Sequence, residues 1–320
     1  MIRSPGILLV CKGISCYTII MSQKIALVLS GGGARGIAHI GVIEELEKRG
    51  YEVTSLAGTS MGALVGGIYA LDRLREFKEW LFTLDRLKVF NLVDFTLSRQ
   101  GLVKGDRVLK RMEEFIPDGD IENLRIPYAA VAADILNREE VVFTRGGVYD
   151  AIRASISIPT VFTPVRTRKG LLVDGGVINN IPIKHVQRHP GDTLVVVNVN
   201  ADIPVEKPPE SKKEEEKKES AYREKLRDFQ AYLSDILPFG GEDEKEENLD
   251  RNFDYFDLIN MTISSMTHTI AQNTLRQYSP DLLIQVSGES CGTFDFFRAE
   301  EMVEMGRHAA ATAIEKFPGS

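Results

Sequence analysis

Two strand–turn–helix units follow one another between residues 24 and 71, and they leave few folds open. Lys24 to Leu29 is apolar after its first residue, the pattern of a strand buried on both faces. Gly31-Gly32-Gly33-Ala34-Arg35-Gly36 interrupts it, and Ile40, Ile43 and Leu46 then recur at helical spacing up to Gly50. Val53 to Ala57 reads as a second strand, Gly58-Thr59-Ser60-Met61-Gly62 as a second turn, and Leu64, Ile68 and Leu71 as a second helix. This β-α-β-α opening predicts an α/β fold: a mainly parallel central sheet with helices on both faces, in three layers.

The rest of the chain continues the alternation less regularly. Helices are expected over Arg75 to Leu84 and Asp106 to Phe115, with a loop-like stretch from Phe90 to Leu102 between them. Tyr128 to Asp134, Glu140 to Phe143, Leu171 to Val173, Thr193 to Val199 and Asp281 to Val286 read as strands. Phe256, Ile259, Ile263, Met266 and Ile270 mark a helical stripe, and Ala299 to Phe317 a closing helix.

Composition marks the boundaries. Pro204 to Glu219 is mostly Lys and Glu, and a second acidic run spans Glu242 to Glu247. Residues 204–248 are therefore expected to be a charged, flexible insertion in a domain built from 22–203 and 249–320. Inside the insertion, Tyr222, Leu226, Phe229, Leu233 and Ile236 share one helical face, and a lid or interfacial helix is one use for it. Trp80, Leu81 and Phe82, with Phe90 and Phe95, offer a second cover, though core packing uses the same side chains. Met21 directly precedes the first strand, so 1–21 is expected to be an over-called leader; a cleaved or anchoring leader and a folded strand are the alternatives.

The net charge of -7 argues against a nucleic-acid partner. Of the three cysteines, Cys11 and Cys16 lie in the leader and only Cys291 in the body, which leaves no disulfide framework and no thiolate zinc site. A cytoplasmic setting is expected; peripheral contact at a membrane is one option, and a plain surface helix or interaction segment over Tyr222 to Ile236 is the other.

Gly58-Thr59-Ser60-Met61-Gly62 fits the G-x-S-x-G elbow, in which a sharp strand-to-helix turn exposes a serine hydroxyl. The pattern is common, but here an apolar strand precedes it and helical spacing follows. Gly31 to Gly36 also fits the dinucleotide fingerprint G-x-G-x-x-G. That reading needs an acid at the end of the next strand, which instead runs into Gly58-Thr59-Ser60. Free N–H groups of a glycine turn beside a reactive serine can instead form an oxyanion hole. Arg35 could add charge there, bind a phosphate head group, or make a structural ion pair. None of the five histidines, His39, His185, His189, His268 and His308, lies in a site-like context, and His185 and His189 are expected on a surface helix. Leu171-Leu172-Val173-Asp174-Gly175-Gly176 ends an apolar strand in an acid on a glycine turn, so Asp174 could take the serine proton directly.

With these motifs in this order, the chain resembles the patatin-like phospholipases over roughly residues 24 to 200, and Ala154-Ser-Ile-Ser-Ile-Pro159 resembles a further block of that family. The resemblance implies a Ser-Asp dyad: Ser60 as nucleophile on an elbow with Gly58, Met61 and Gly62, and Asp174 as base on its turn with Gly175 and Gly176. It implies an oxyanion hole from Gly31, Gly32, Gly33, Ala34, Arg35 and Gly36, no metal and no organic cofactor, and hydrolysis of phospholipid or lysophospholipid esters. A His-assisted general carboxylesterase and a non-catalytic acyl-lipid-binding regulator are the alternatives.

Overall fold

The computed structural model describes residues 22–92, 106–159, 161–206 and 255–317, and residues 7–12 and 15–20 as backbone. Chain contacts divide it into two compact units, 1–205 with 259–320, and 206–258. Residues 207–219 of the Lys/Glu-rich run, the helical face from Tyr222 to Ile236, and Phe95 lie outside the described residues. Strands β1 (Ile7–Lys12) and β2 (Ser15–Ile20) pair antiparallel as a separate two-stranded sheet.

Among the described residues the main sheet has eight strands. They are β3 (Gln23–Leu29), β4 (Tyr51–Thr59), β5 (Tyr128–Asp134), β6 (Glu139–Phe143), β7 (Val165–Arg166), β8 (Leu171–Asp174), β9 (Thr193–Ala201) and β10 (Leu282–Ser287). Their order is β10-β9-β3-β4-β5-β8-β7, with β6 paired to β5. The five strands from β10 to β5 are mutually parallel, while β6 and β8 run antiparallel to β5, and β7 runs antiparallel to β8. The expected mainly parallel α/β sheet is thus present, with an antiparallel margin.

Helices cover both faces. On one side, α1 (Ala38–Lys48), α2 (Met61–Ala70), α6 (Val148–Ser155) and α8 (Ala299–Glu315) enclose a core with Ile25, Leu27 and Leu29 of β3 and Val195, Val197 and Val199 of β9. The alternate residues Val28, Leu194 and Val196 face the other side, where Ala271, Leu275 and Tyr278 of α7 (Tyr255–Tyr278) cover them. Helices α3 (Leu74–Phe82), α4 (Arg86–Leu92) and α5 (Asp106–Glu113) complete the described set. Helix α4 begins before and runs into the stretch expected to be a loop from Phe90. Helix α6 was not expected: its eight residues give too short a window for helical periodicity to stand out. No helix among the described residues is long and apolar enough to cross a membrane.

Helices α1 and α8 cross with their backbones in near contact. A Cβ at Gly41 would stand 1.8 Å from the Val303 carbonyl oxygen, and one at Gly306 would stand 1.9 Å from that of Ala38. Only glycine lets the two helices close over the sheet at this distance. Gly41→Ala is expected to destabilise the fold by about 1–3 kcal/mol through overpacking, despite alanine's better helix propensity; the midpoint of urea unfolding measures it.

Candidate active site

Sheet direction and register bring the two motifs together. Thr59 at the end of β4 pairs with Val131, which puts the next residue, Ser60, level with Ala132. On the other side of β5, Ala132 pairs with Asp174. Strand β8 is antiparallel, so it delivers its last residue to the level at which β4 delivers the serine. The Ser60 hydroxyl donates to Asp174 Oδ2 at 2.5 Å, and both residues are buried.

The Ser60 backbone has φ 54° and ψ −123°, outside the ordinary regions for a residue with a side chain. The flanking glycines make the turn sterically feasible. A Cβ at Gly58 would stand 2.4 Å from the Gly62 carbonyl, and one at Gly62 would stand 2.3 Å from the Leu29 carbonyl. One hydrogen-bond pair fixes the turn from outside: Ser60 N–H donates to Ser155 Oγ at 2.8 Å, and Ser155 Oγ donates to the Val131 carbonyl at 2.6 Å. Two residues on, the Ser157 carbonyl accepts from Asp174 N–H at 2.9 Å. The block Ala154 to Pro159 thus holds the backbones of both Ser60 and Asp174.

Asp174 caps a short 3-10 turn, Gly175–Val177, with Oδ1 accepting from Gly176 N–H at 2.8 Å. No cation pairs with it among the described residues. Burial pushes its carboxyl up to about 6, against the smaller opposing pull of the Ser60 and Gly176 donors. It is therefore mostly ionised at neutral pH and still basic enough to hold a proton.

The first glycine turn lies beyond the end of β3 and forms a 3-10 turn, Gly33–Ile37. Its six residues are not equivalent. Gly31 N–H donates to the Asn180 carbonyl at 3.1 Å and Ala34 N–H to the Thr293 carbonyl at 2.9 Å, so neither is available as an oxyanion donor. Arg35 and Gly36 continue the 3-10 turn, and the Arg35 guanidinium donates to Asn200 Oδ1 and the Cys291 carbonyl, both at 3.1 Å. Gly32 and Gly33 have N–H groups without a protein acceptor among the described residues, and both line the cleft beside Ser60. Of the six residues expected to form an oxyanion hole, Gly32 and Gly33 are the two glycines of the turn whose N–H groups are left without a protein acceptor among the described residues. The Met61 N–H, in the first turn of α2, faces no intrahelical acceptor either.

Two cavities meet at Ser60. One is a cleft of about 660 Å³ with polar residues Arg35, Asn180, Asn200, Asp202, His268 and Glu289 among its walls, together with Asp174. The other is lined by Phe77, Trp80, Leu81, Met112, Ile156 and Phe162. Ser60, Gly33 and Ile158 belong to both. Phe77 and Trp80 of α3 therefore pack with the core and also wall a cavity that opens at the serine, whereas Phe82, expected beside them, is exposed.

The histidines occupy other positions. His39 is fully buried and donates from Nε2 to the Ser30 carbonyl at 2.8 Å; burial pushes it down to about 4, so it is neutral. His185 pairs with Glu140 at 2.6 Å, and His189 with Asp192 at 3.2 Å. Neither lies on the expected helix: a 3-10 turn ends at His185, and Pro190 disfavours helical backbone at His189. His268 lines the cleft, which the sequence did not single out. No group of three or more His, Cys, Asp or Glu among the described residues could hold a metal ion.

Residues 27–186 match the family model for patatin-like phospholipase. An uncharacterized NTE family protein of Mycobacterium tuberculosis is 33% identical over 333 residues, covering 92% of this chain and 92% of its own. The lysophospholipase NTE1 of Saccharomyces cerevisiae is 30% identical over 191 residues, which is 57% of this chain and 11% of that protein. Among solved structures, VipD from Legionella pneumophila aligns with 98% of this chain and 71% of its own, at 14% identity and a TM-score of 0.45. The chain belongs to the patatin-like phospholipase family.

Ser155→Ala would leave both the Ser60 N–H and the Val131 carbonyl without their buried partner. A loss of about 1–3 kcal/mol is expected, measurable by chemical denaturation.

Proposed function

We propose that this protein is a lipid acyl hydrolase that cleaves carboxylic esters of phospholipids or lysophospholipids, with Ser60 as nucleophile and Asp174 as base. The observation that carries the reading is the 2.5 Å Ser60–Asp174 hydrogen bond at the point where a wide cleft of mixed polar and apolar lining meets an apolar cavity. The apolar cavity suits an acyl chain on one side of the scissile carbonyl, and the wider cleft, with Arg35, Asn180 and Asn200 in its wall, has room and polar partners for the alcohol on the other. Membership of the patatin-like phospholipase family, and a relative named as a lysophospholipase, support the same reaction class.

The reaction needs two half-cycles. Asp174 Oδ2 takes the hydroxyl proton as Ser60 Oγ bonds to the ester carbon, and the carbonyl π pair moves onto oxygen. Gly32 and Gly33 N–H, with Met61 N–H, are the donors for that oxyanion. Collapse expels the alcohol, which carries away the proton held by Asp174, and leaves an acyl ester on Ser60. Water then adds to this ester, giving its proton to Asp174. The second collapse returns that proton to Ser60 Oγ and releases the fatty acid.

Ser60→Ala and Asp174→Asn are each expected to lower kcat/KM for p-nitrophenyl butyrate by about 10³-fold or more, with His185→Ala, His189→Ala and His268→Ala near wild type. Full activity in Asp174→Asn would remove the dyad; loss in a histidine variant that still folds would favour a His-assisted esterase. The basic form of Asp174 is the active one, so kcat/KM should rise with pH through a midpoint near 6.

Stability should respond in the opposite direction. The Asp174 carboxyl moves from 3.8 to about 6 on burial, so the folded state holds this proton more tightly than the unfolded chain. Its stabilising contribution is complete below pH 3.8 and is lost as pH rises through 6. At pH 8 the ionised group costs about 3 kcal/mol. Asp174→Asn should therefore melt higher than wild type at pH 8, and the difference should shrink towards pH 4; scanning calorimetry at both pH values measures it.

A further inference from the structure

The Gly31–Gly32 peptide is gripped from outside its own turn. Asn200 Nδ2 donates to the Gly31 carbonyl at 2.6 Å, and Asn180 Nδ2 donates to it at 3.4 Å. The asparagines come from different places, one near the end of β9 and the other from the segment after the Asp174 turn. Asn200 is itself held, because Arg35 Nε donates to its Oδ1 at 3.1 Å. An amide whose oxygen faces a guanidinium must turn its NH₂ the other way. A second nitrogen of Arg35 is anchored on the Cys291 carbonyl, which fixes the brace to the loop after β10.

This grip sets the direction of a different group. The chain has no cis peptide among its described bonds, so the Gly31 C=O and Gly32 N–H point to opposite sides of one rigid plane. Fixing the carbonyl therefore fixes the aim of the N–H. The two glycines have no side chains that could hold the plane themselves, and glycine backbone is the most free to rotate. A donor that must be in place before the oxyanion forms needs an external hold.

We propose that Asn200, locked by Arg35 and assisted by Asn180, positions the Gly31–Gly32 peptide so that Gly32 N–H is preset as an oxyanion donor. This rests on the Ser60–Asp174 hydrolase reading. It makes Arg35 a brace of the turn instead of a ligand for a phosphate head group. The two roles differ for substrates that have no head group.

The test uses the full chain and a neutral ester, p-nitrophenyl butyrate. Asn200→Asp keeps the size of the side chain and an acceptor for Arg35 but removes the donor to Gly31. It should lower kcat by about 10- to 10²-fold, up to the scale of one lost oxyanion donor, with KM within about threefold. Arg35→Ala should lower kcat on the same neutral ester. An alkyl trifluoromethyl ketone adds Ser60 Oγ to its carbonyl carbon and forms an oxyanion, whereas the matching trifluoromethyl carbinol does neither. In both variants the ketone inhibition constant should rise in step with the loss of kcat while that of the carbinol stays unchanged. Equal weakening of both ligands would show a general structural defect and overturn the proposal. So would wild-type kcat in Asn200→Asp, or wild-type kcat for the neutral ester in Arg35→Ala. If Asn200→Asp fails to fold, Asn180→Ala and Arg35→Ala carry the same ketone-against-carbinol comparison. Turnover retained in Ser60→Ala would overturn the underlying hydrolase reading, a result separate from all of these.

Discussion

The backbone of Ser60 is the constraint on which the rest of the site depends. A residue with a side chain at φ 54° and ψ −123° is strained by about 1–3 kcal/mol, and it persists only where its surroundings leave no alternative. Three features supply that: β4 enters in register with β3 and β5, Gly58 and Gly62 let the turn close against Leu29, and Ser155 accepts the serine's own N–H. Each comes from the fold and not from the turn itself. The strained serine is an output of the whole sheet, which is why the short motif taken alone says little.

The sheet also explains why the acid lies so far away in sequence. A parallel strand can present residues at its carboxyl end only, and β3, β4 and β9 all end at the site. Chain order runs outward from β3 through β4 in one direction and from β9 to β10 in the other, so the crevice between β3 and β9 is the switch point where such sheets bind ligands. Gly31 to Gly33 border that crevice on one side and Asn200 on the other. The acid comes by a different route, along the antiparallel strand β8, and reaches the same level because Ala132 pairs with Asp174. The antiparallel margin is thus part of the site's construction.

Much of this was legible in the sequence, for a physical reason. Apolar runs ending in glycine turns announce buried strands, and the residues just after them are where a parallel sheet can place chemistry; Ser60 and the turn at Gly31 follow that rule. The supporting contacts left weaker marks. Ala154 to Pro159 stood out as a block, but nothing in local spacing shows that Ser155 meets an N–H 95 residues earlier. Asn198 and Asn200 interrupt an otherwise apolar strand just at its end, a signal available in the sequence but not read as one. Phe77 and Trp80 satisfy any core-packing pattern, and only the tertiary arrangement reveals that one side of them faces a cavity at Ser60. The surface helix expected around His185 and His189 gave way to Pro190, whose effect on the preceding residue outweighed the local pattern.

The absence of a cation beside Asp174 among the described residues bears on the proposed chemistry. A histidine base becomes a cation as it takes the serine proton, so a carboxylate must stand behind it. Here the base starts anionic and becomes neutral, while the substrate oxygen starts neutral and becomes anionic. One negative charge moves within the site and none is created. The resting charge is stabilised by two donors, Ser60 Oγ–H and Gly176 N–H. One of those donors disappears when the hydroxyl gives up its proton, at the moment the charge passes to the oxygen beside Gly32 and Gly33. A cation held on Asp174 would oppose that transfer by favouring the charge where it began. A buried, unpaired carboxylate raised to about 6 is costly to stability, and that same cost inclines the charge to leave it.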